Sequence, residues 1–412
     1  MFYHHINVQM INIIGLGYIG LPTALILAAH GMEVVGTDYN GQLVRRLNSG
    51  ETTFKENGLA ALFARAVDAG IRFTTEYQAT DTYIISVPTP YDKVSKQIDA
   101  SYVVRAVNSV LKVCETGADI IIESTVGPST IDRFVRPLVK AAGRDINLAH
   151  APERIIPGNM VYELVHNNRT IGADTPEVAE RVRRIYTSFC RGEIVTTDIR
   201  TAEMTKVVEN TYRAVNIAFA NELLRICRYG GMDAAEIIRI CNKHPRVNIM
   251  QPGPGVGGHC IPVDPWFLVG DYPQLTPMIS ASLRVNVSQP EYVLERIHQV
   301  MAECGVSDVC RVGLYGITYK ENVDDCRESP SLQLLESQRR HLAQPLKCYD
   351  PLLEDKRVAE SQIADFDTFL ASVDMVVVMV SHDHIRRNWH KLEGKAVLDC
   401  RNICPLPNTY RL

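Results

Sequence analysis

Met10-Ile11-Asn12-Ile13-Ile14-Gly15-Leu16-Gly17-Tyr18-Ile19-Gly20-Leu21-Pro22 is the stretch whose reading decides the fold. Met10 to Ile14 is a short apolar run that ends at a glycine, which predicts a buried strand. Leu21 to His30 then predicts a helix, and Glu33 to Thr37 a second strand with Asp38 at its end. Gly15, Gly17 and Gly20 fall in the turn between strand and helix. A tight structural turn would use the same glycines, but their spacing in a strand–turn–helix–strand unit predicts a dinucleotide site. Asp38 is placed to accept hydrogen bonds from a ribose 2′-hydroxyl and to repel a 2′-phosphate. NAD is therefore expected over NADP. The plain alternative for Asp38 is a helix N-cap.

Outward from this unit the alternation continues. Strands are expected at Thr82 to Val87, Asp119 to Glu123 and Asn147 to Ala149, separated by helical stretches. That pattern predicts a parallel, doubly wound sheet over roughly the first 190 residues. Ala202 to Tyr229 contains neither Pro nor Gly and is apolar at helical spacing through Val207, Val208, Tyr212, Val215, Phe219, Leu223 and Ile226. It reads as one long helix, of the kind that serves as a backbone for dimerisation. A further helix is expected from Met278 to Cys304. A second alternating region begins at Arg311, with strands at Val312 to Tyr315, Leu346 to Tyr349, Met375 to Val380 and Ala396 to Asp399. Helices are expected at Ser331 to Arg340 and Phe366 to Ser372. The expected fold is α/β: two Rossmann-like doubly wound domains joined by a long central helix.

Composition narrows the function. The chain has 412 residues, 46% apolar and 22% charged, as in an ordinary globular protein. Its 43 basic and 47 acidic residues leave a net charge of −4, which argues against nucleic acid or an anionic membrane surface as partner. Apolar runs such as Leu21 to Ala29 are too short to span a bilayer. Phe2 to Met10, with His4 and His5, is a mixed lead-in that does not read as a secretory signal. The 11 cysteines are scattered without a C-x-x-C pair, which reads as reduced thiols in a cytoplasm.

Four further clusters carry chemistry. Val87-Pro88-Thr89-Pro90 and Glu123-Ser124-Thr125 fall at strand ends on the expected cofactor side, where a hydroxyl holds a ribose, a phosphate or a water, or simply makes a turn. Ala151-Pro152-Glu153-Arg154 puts a carboxylate after another strand, with a solvated loop charge as the plain alternative. Lys206 and Asn210 share a face of the long helix, one turn apart, and make a donor pair suited to an oxyanion, or merely an exposed face.

The richest segment is Gln251-Pro252-Gly253-Pro254-Gly255-Val256-Gly257-Gly258-His259-Cys260, followed four residues later by Asp264. Its glycines and prolines exclude a helix or a central strand. A glycine-rich approach lets a substrate come close to the backbone, and a thiol at its end with a carboxylate nearby suits a nucleophile. A buried, inert cysteine is the plain alternative. A metal set of His259, Cys260 and Asp264 lacks a second cluster at ligand spacing, so no metal is expected. Lys320, Arg327 and Arg401 lie at strand ends or loops of the C-terminal region, where cations suit a diphosphate.

Together these stretches resemble the UDP-sugar dehydrogenase family, from Ile11 to Arg401 and in the family's order. The resemblance rests on Gly15 to Pro22, Ala151 to Arg154, Ala202-Glu203-Met204-Thr205-Lys206, Gly257 to Cys260, and Arg327-Glu328-Ser329-Pro330. It implies a four-electron oxidation of a sugar C6 alcohol to a carboxylate through a cysteine thiohemiacetal and thioester. It implies three domains: NAD-binding at 1–195, a central helical dimerisation and catalytic-loop domain at 196–300, and UDP-binding at 301–412. Asn216 to Leu223 and His244-Pro245-Arg246-Val247-Asn248-Ile249 are most similar to the branch that oxidises UDP-N-acetyl-D-mannosamine, with UDP-N-acetylglucosamine and UDP-glucose as alternatives.

By motif, Cys260 is the implied nucleophile, Lys206 and Asn210 the oxyanion and water pair, and Asp264 their assistant. Glu153 is the implied base for thioester hydrolysis and Thr125 the holder of the water. The cofactor would meet Gly15, Gly17, Tyr18, Ile19, Gly20, Asp38, Pro88, Thr89, Ser124, Thr125 and Arg327. The UDP-sugar would meet Arg154, Lys206, Asn210, Asn248, Gly257, Lys320 and Arg401, with Arg246 reaching across a homodimer. The family's UDP-glucose members carry a second glutamate where this chain has Pro157. Two other classes remain open on the residues alone: a two-electron NAD dehydrogenase of a phosphorylated acid, and a nucleotide sensor without turnover. The intact Lys206, Asn210, Cys260 and Asp264 set argues against the sensor.

Overall fold

A computed structural model describes residues 10–341, 346–407 and 409–412, so the lead-in with His4 and His5 lies outside the described residues. The chain divides into two compact units. One runs up to Glu209 and includes Trp266–Tyr272; the other holds Asn210–Pro265 and Pro273–Leu412.

The first unit is built on eight strands: β1 (Ile11–Ile14), β2 (Val34–Thr37), β3 (Arg72–Thr74), β4 (Thr82–Ile85), β5 (Asp119–Ile122), β6 (Asn147–His150), β7 (Arg169–Ala173) and β8 (Ile194–Thr197). Their order is β3-β2-β1-β4-β5-β6-β7-β8. The first six are parallel and follow the doubly wound dinucleotide-binding order, with the reversal between β1 and β4. Ile14 pairs with both Thr37 and Ile85, so the strand ends around that reversal lie level. Ile13, Ile84 and Ile121 from the strands and Leu21 and Leu25 from the first helix (Gly20–Ala29) share one core. Fully burying an aliphatic side chain of this size contributes ~1.5–3 kcal/mol.

The expected all-parallel sheet holds through β6 and then changes. β7 runs antiparallel to β6, and β8 is an edge strand parallel to β7. Neither strand was expected. β7 opens on Arg169-Thr170, polar residues that mask a strand, and β8 leaves two of its four residues exposed and buries none fully. β3 is three residues long and was missed for the same reason: a short edge buries too little to show a period.

The second unit holds β9 (Val312–Tyr315), β10 (Lys347–Tyr349), β11 (Met375–Val378), β12 (Ala396–Asp399) and β13 (Tyr410–Arg411). The order β10-β9-β11-β12-β13 is entirely parallel and is the other common doubly wound arrangement, with its reversal between β9 and β11. In sheets of this order ligands bind at the loops after the two strands flanking the reversal.

The long helix covers Ile199–Tyr229, three residues earlier than expected at its start. Asp198 supplies the missed signal: its carboxylate accepts from the Thr201 amide at 2.9 Å and the Thr201 hydroxyl at 2.6 Å, an N-cap. Gly231 at φ +67° ends the helix. The expected single helix from Met278 to Cys304 is two, Pro277–Val287 and Gln289–Cys304. Pro290 lacks an amide hydrogen and crowds the carbonyl four residues back, so it starts a helix instead of continuing one.

Candidate active site

The glycine turn divides its labour in a way that fits a dinucleotide. Gly15 has φ +90°, and a Cβ there would fall on the Ser86 carbonyl. A Cβ on Gly20 would fall on the Gly15 carbonyl. Both glycines are required by the fold itself. Gly17 is different: it is exposed, and nothing lies within 4 Å of where its Cβ would be. Open space over backbone at the start of a helix whose N-cap, Ile19, offers no side-chain acceptor suits a diphosphate. Tyr18 is stacked on Phe54, ring centroids 4.3 Å apart.

Asp38 lies beside this turn. Its Oδ2 accepts from the Leu16 amide at 2.9 Å and its Oδ1 from the Asn40 amide at 2.8 Å. The N-cap of the following helix is Asn40, not Asp38, since Asn40 accepts from the Gln42 and Leu43 amides.

Past β4 and β5 the hydroxyls are occupied by the chain itself. Ser124 Oγ donates to the Val87 carbonyl at 2.7 Å and accepts from the Val87 amide at 2.8 Å. Thr89 Oγ1 donates to the Thr125 carbonyl at 2.7 Å. These bonds tie the Pro88 loop to the Thr125 loop. Glu203 on the long helix pins the same loop: its carboxylate accepts from the Ser129 amide at 2.6 Å and the Ile131 amide at 2.9 Å. Burial pushes this carboxyl up to about 7. Lys206 stands three residues along from Glu203, so one helix carries both the ammonium and the anchor of the Thr125 loop. Lys206 is only 7% exposed, and among the described residues no hydrogen bond or ion pair engages its side chain.

His150, at the end of β6, is fully buried and feels the Lys206 charge. Its Nδ1 lies 2.8 Å from the Ile122 carbonyl, which fixes Nδ1 as the donor and leaves Nε2 as an acceptor without a partner. Burial lowers this imidazole to about 4, so it is neutral.

Glu153 is not a solvated loop charge. It is 6% exposed, its Oε1 lies 3.1 Å from Arg169 Nη2, and its Oε2 accepts from the Ile155 amide. Arg154 turns the other way. It binds Glu209 on the long helix with two bonds, of 3.0 and 2.5 Å, and also the Asn168 carbonyl and Thr170.

In the second unit, Cys260 is exposed, and its carbonyl accepts from the amides of Val263 and Asp264 at 3.0 and 2.8 Å. Asp264 is buried, opens the helix Asp264–Asp271, and accepts from Asn210 Nδ2 at 2.6 Å. The nucleophile candidate, its carboxylate and the helix amide thus stand in one local frame. His259, beside Cys260, is held below its ordinary value by burial and by the Arg327 guanidinium.

The glycines before Cys260 serve a purpose the sequence did not reveal. A Cβ on Gly257 would lie 2.6 Å from Tyr319 Cβ and 2.8 Å from the Glu328 carbonyl, and one on Gly258, at φ +90°, would meet the Tyr319 ring. The Gly258 amide donates to the Arg327 carbonyl at 2.9 Å. The segment is glycine-rich because the protein's own 319–330 loop packs against it.

That loop is fixed from below. Asp350 Oδ2 accepts from the Ile317 and Thr318 amides at 2.7 and 2.9 Å and lies 3.2 Å from His382 Nε2; His382 Nδ1 accepts from the Asn322 amide at 2.9 Å. Lys320 sits on the span so held. Arg327 pairs with Asp325: its Nε lies 3.0 Å from both carboxylate oxygens and its Nη2 2.6 Å from Oδ2. Arg401 donates from Nε to the Met379 carbonyl at 2.8 Å, and its guanidinium closes on Gly253, where a Cβ would be 2.9 Å away. A cavity of about 300 Å³ opens beside it, bordered by Arg228, Gln251, Asn402 and Arg411. Arg246 and Asn248 are exposed.

Sequence reasoning quoted Glu123 and Glu203 within motifs without giving them a role, and passed over Arg169, His150, Asp350 and His382. A buried acid or histidine at the end of a predicted strand was the available signal for Glu123, His150 and Asp350; nothing local marked the others.

Residues 9–190 match the NAD binding domain of the UDP-glucose/GDP-mannose dehydrogenase family, residues 200–288 its central domain and residues 313–405 its UDP binding domain. A UDP-N-acetyl-D-mannosamine dehydrogenase of Methanococcus maripaludis is 40% identical over 96% of this chain and 93% of its own. An NDP-N-acetyl-D-galactosaminuronic acid dehydrogenase of Ralstonia nicotianae is 38% identical over 97% of each chain. The native structure of the UDP-N-acetyl-mannosamine dehydrogenase of Staphylococcus aureus aligns with a TM-score of 0.87 at 37% identity, covering 98% of both chains. The chain is thus a member of the UDP-glucose/GDP-mannose dehydrogenase family, with that family's NAD-binding, central and UDP-binding domains.

Proposed function

We propose that the protein oxidises the C6 alcohol of UDP-N-acetyl-D-mannosamine to the carboxylate by two successive oxidations. The observation that carries this reading is the exposed Cys260 one turn before the buried Asp264–Asn210 pair. NAD, when bound, accepts the electrons of each oxidation. The first oxidation leaves an aldehyde. Cys260 sulfur adds to its carbonyl and forms a thiohemiacetal, and the second oxidation leaves a thioester. Water then attacks the acyl carbon, the C–S bond breaks, and the thiol and the carboxylate are released.

In this reading Lys206 stabilises the oxyanion, and its burial without a hydrogen-bond or ion-pair partner among the described residues supports that role. Asn210, held by Asp264, presents its amide to the same oxygen or to the water. Glu153 takes the water proton, and Thr125 positions the water. Asp38 faces the adenosine ribose, Gly15 to Gly20 take the diphosphate of NAD, and Pro88, Thr89 and Ser124 lie at the strand ends beside it; Arg327 is a further cofactor contact in this reading. Gly257, Lys320, Arg401, Arg154 and Asn248 frame the UDP-sugar. The domains divide at 1–195, 196–300 and 301–412.

The central domain would pair with a second copy. Val208, Tyr212, Phe219 and Ile226 form an exposed apolar stripe on the long helix, 46–62% exposed, and a contiguous stripe of this kind marks an interface. Arg246, exposed nearby in sequence, would reach the partner's substrate. No disulfide joins the described cysteines, which suits a cytoplasm. No described helix is long and apolar enough to cross a membrane.

The sugar follows from the relatives named for N-acetyl-D-mannosamine. It is tested by kcat/KM for UDP-N-acetyl-mannosamine, -glucosamine and -galactosamine and for UDP-glucose. A site built for the acetamido group should lose about 1–3 kcal/mol of discrimination with UDP-glucose, which leaves its polar partners unpaired. A galactosamine preference would side with the Ralstonia relative and overturn the sugar assignment alone.

A further inference from the structure

The buried charges of the first unit form a trio. Glu123, at the end of β5, is 1% exposed; Arg169, at the start of β7, is 3% exposed; Glu153 follows β6. Arg169 Nη2 donates to Glu153 Oε1 at 3.1 Å, while Nη1 lies 3.8 Å from Glu123 Oε1, an ion pair without a hydrogen bond. Among the described residues Arg169 Nε and Nη1 have no hydrogen-bond partner, so the guanidinium keeps a donor, Nη1, in reserve beside Glu123. Its faces are closed by the rings of Tyr186 and Phe189, 4.5 and 5.4 Å from the guanidinium carbon. Glu123 is otherwise held by hydroxyls: Ser86 Oγ at 2.6 Å, Tyr186 OH at 3.2 Å and Thr23 Oγ1 at 3.3 Å.

We propose that Glu123 is a positioning residue for Glu153, acting through the guanidinium that the two carboxylates share. The inference rests on the reading of Glu153 as the base of thioester hydrolysis. Two carboxylates against one guanidinium, all three buried, leave one negative charge uncompensated. With Glu123 ionised, Arg169 is shared, and Glu153 is less fully neutralised and a better proton acceptor. With Glu123 protonated, Arg169 belongs to Glu153 alone. Burial, opposed by Arg169, sets Glu123 to about 7, so the exchange falls in the working pH range. The charged groups facing Glu123 are Arg169 from β7 and Glu153 after β6; the Tyr186 phenol faces it from the helix Pro176–Thr187, and Cys190 borders Arg169. Ser86 and Thr23 also border the glycine turn, so the trio is rooted in the cofactor site.

The test is the pH dependence of thioester hydrolysis, read as decay of the covalent adduct by intact-protein mass spectrometry on quenched full-length enzyme. Glu123→Gln should move the acid limb of that step to lower pH by about one unit and slow it several-fold on the plateau, with KM for NAD and sugar unchanged. Glu123→Asp should restore the wild-type profile. Should Glu123→Gln fail to fold, Ser86→Ala, which removes the closest donor and makes Glu123 harder to ionise, should shift the limb in the same direction by less. An unmoved limb in the folded variants overturns the coupling. Glu153→Gln separates the two ideas. If it accumulates thioester while the Glu123 variants keep the wild-type profile, only the coupling falls. If it accumulates none, the role of Glu153 falls and the inference with it.

Discussion

Asn210 Nδ2 lies 2.6 Å from Asp264 Oδ2, and both side chains are buried. They are 54 residues apart in sequence, one in the long helix and the other at the start of the helix that follows the cysteine segment. The bond locks the Cys260 turn to the helix in a single orientation. Asp264→Ala should leave a buried amide donor unpaired and cost about 1–3 kcal/mol of stability. Chemical denaturation with intrinsic fluorescence measures this; a change below about 0.5 kcal/mol would mean that water replaces the carboxylate freely.

The glycine turn gives a paired prediction. Gly17→Ala meets open space, so the folded state should keep its melting temperature while KM for NAD rises. Gly20→Ala would drive a methyl into the Gly15 carbonyl and should lower the melting temperature. Thermal unfolding and NAD titration of both variants check it. Equal destabilisation by both would mean that Gly17 serves packing and not the cofactor.

Asp38 should give a strong preference for NAD over NADP in kcat/KM, because a 2′-phosphate would meet its charge. Asp38→Ala should erode that preference and also loosen the turn, since the carboxylate binds the Leu16 amide. A wild-type preference for NADP would remove Asp38 from the ribose site.

How much of this was legible follows from locality. The β1–turn–helix unit was readable because its glycine spacing answers to φ angles and close approaches within a few residues. The long helix was readable from its period, but the residues that carried the period, Tyr212, Phe219 and Ile226, face solvent, while Glu203, Asn210 and Asn221 are buried. The inward polar face is dictated by partners distant in sequence, which no window detects. The glycines before Cys260 were read as space for a substrate, yet Tyr319 and Glu328 stand there. Glu123 and Arg169 are joined across β6 by an antiparallel strand whose polar start hid it, so their pairing had no local trace.

Glu123 should also shape stability against pH. Its folded value is raised from 4.5 to about 7, so the folded protein holds a proton that the unfolded chain has released across that window. Its contribution is complete below about 4.5 and is lost as pH rises through about 7. Denaturant midpoints of wild type and Glu123→Gln across that range measure it. Wild type should lose stability relative to the variant as pH rises, and parallel curves would contradict a protonated Glu123.

The central claim is that Cys260 carries the sugar between the two oxidations. The most direct measurement is the yield of NADH and of uronic acid per mole of UDP-sugar, for wild type and for Cys260→Ala at complete conversion. Wild type should give two NADH per acid formed with no aldehyde released. Cys260→Ala should form no acid and at most a single NADH per sugar, since the thioester cannot form. Acid formed by Cys260→Ala with the full NADH yield would contradict the account.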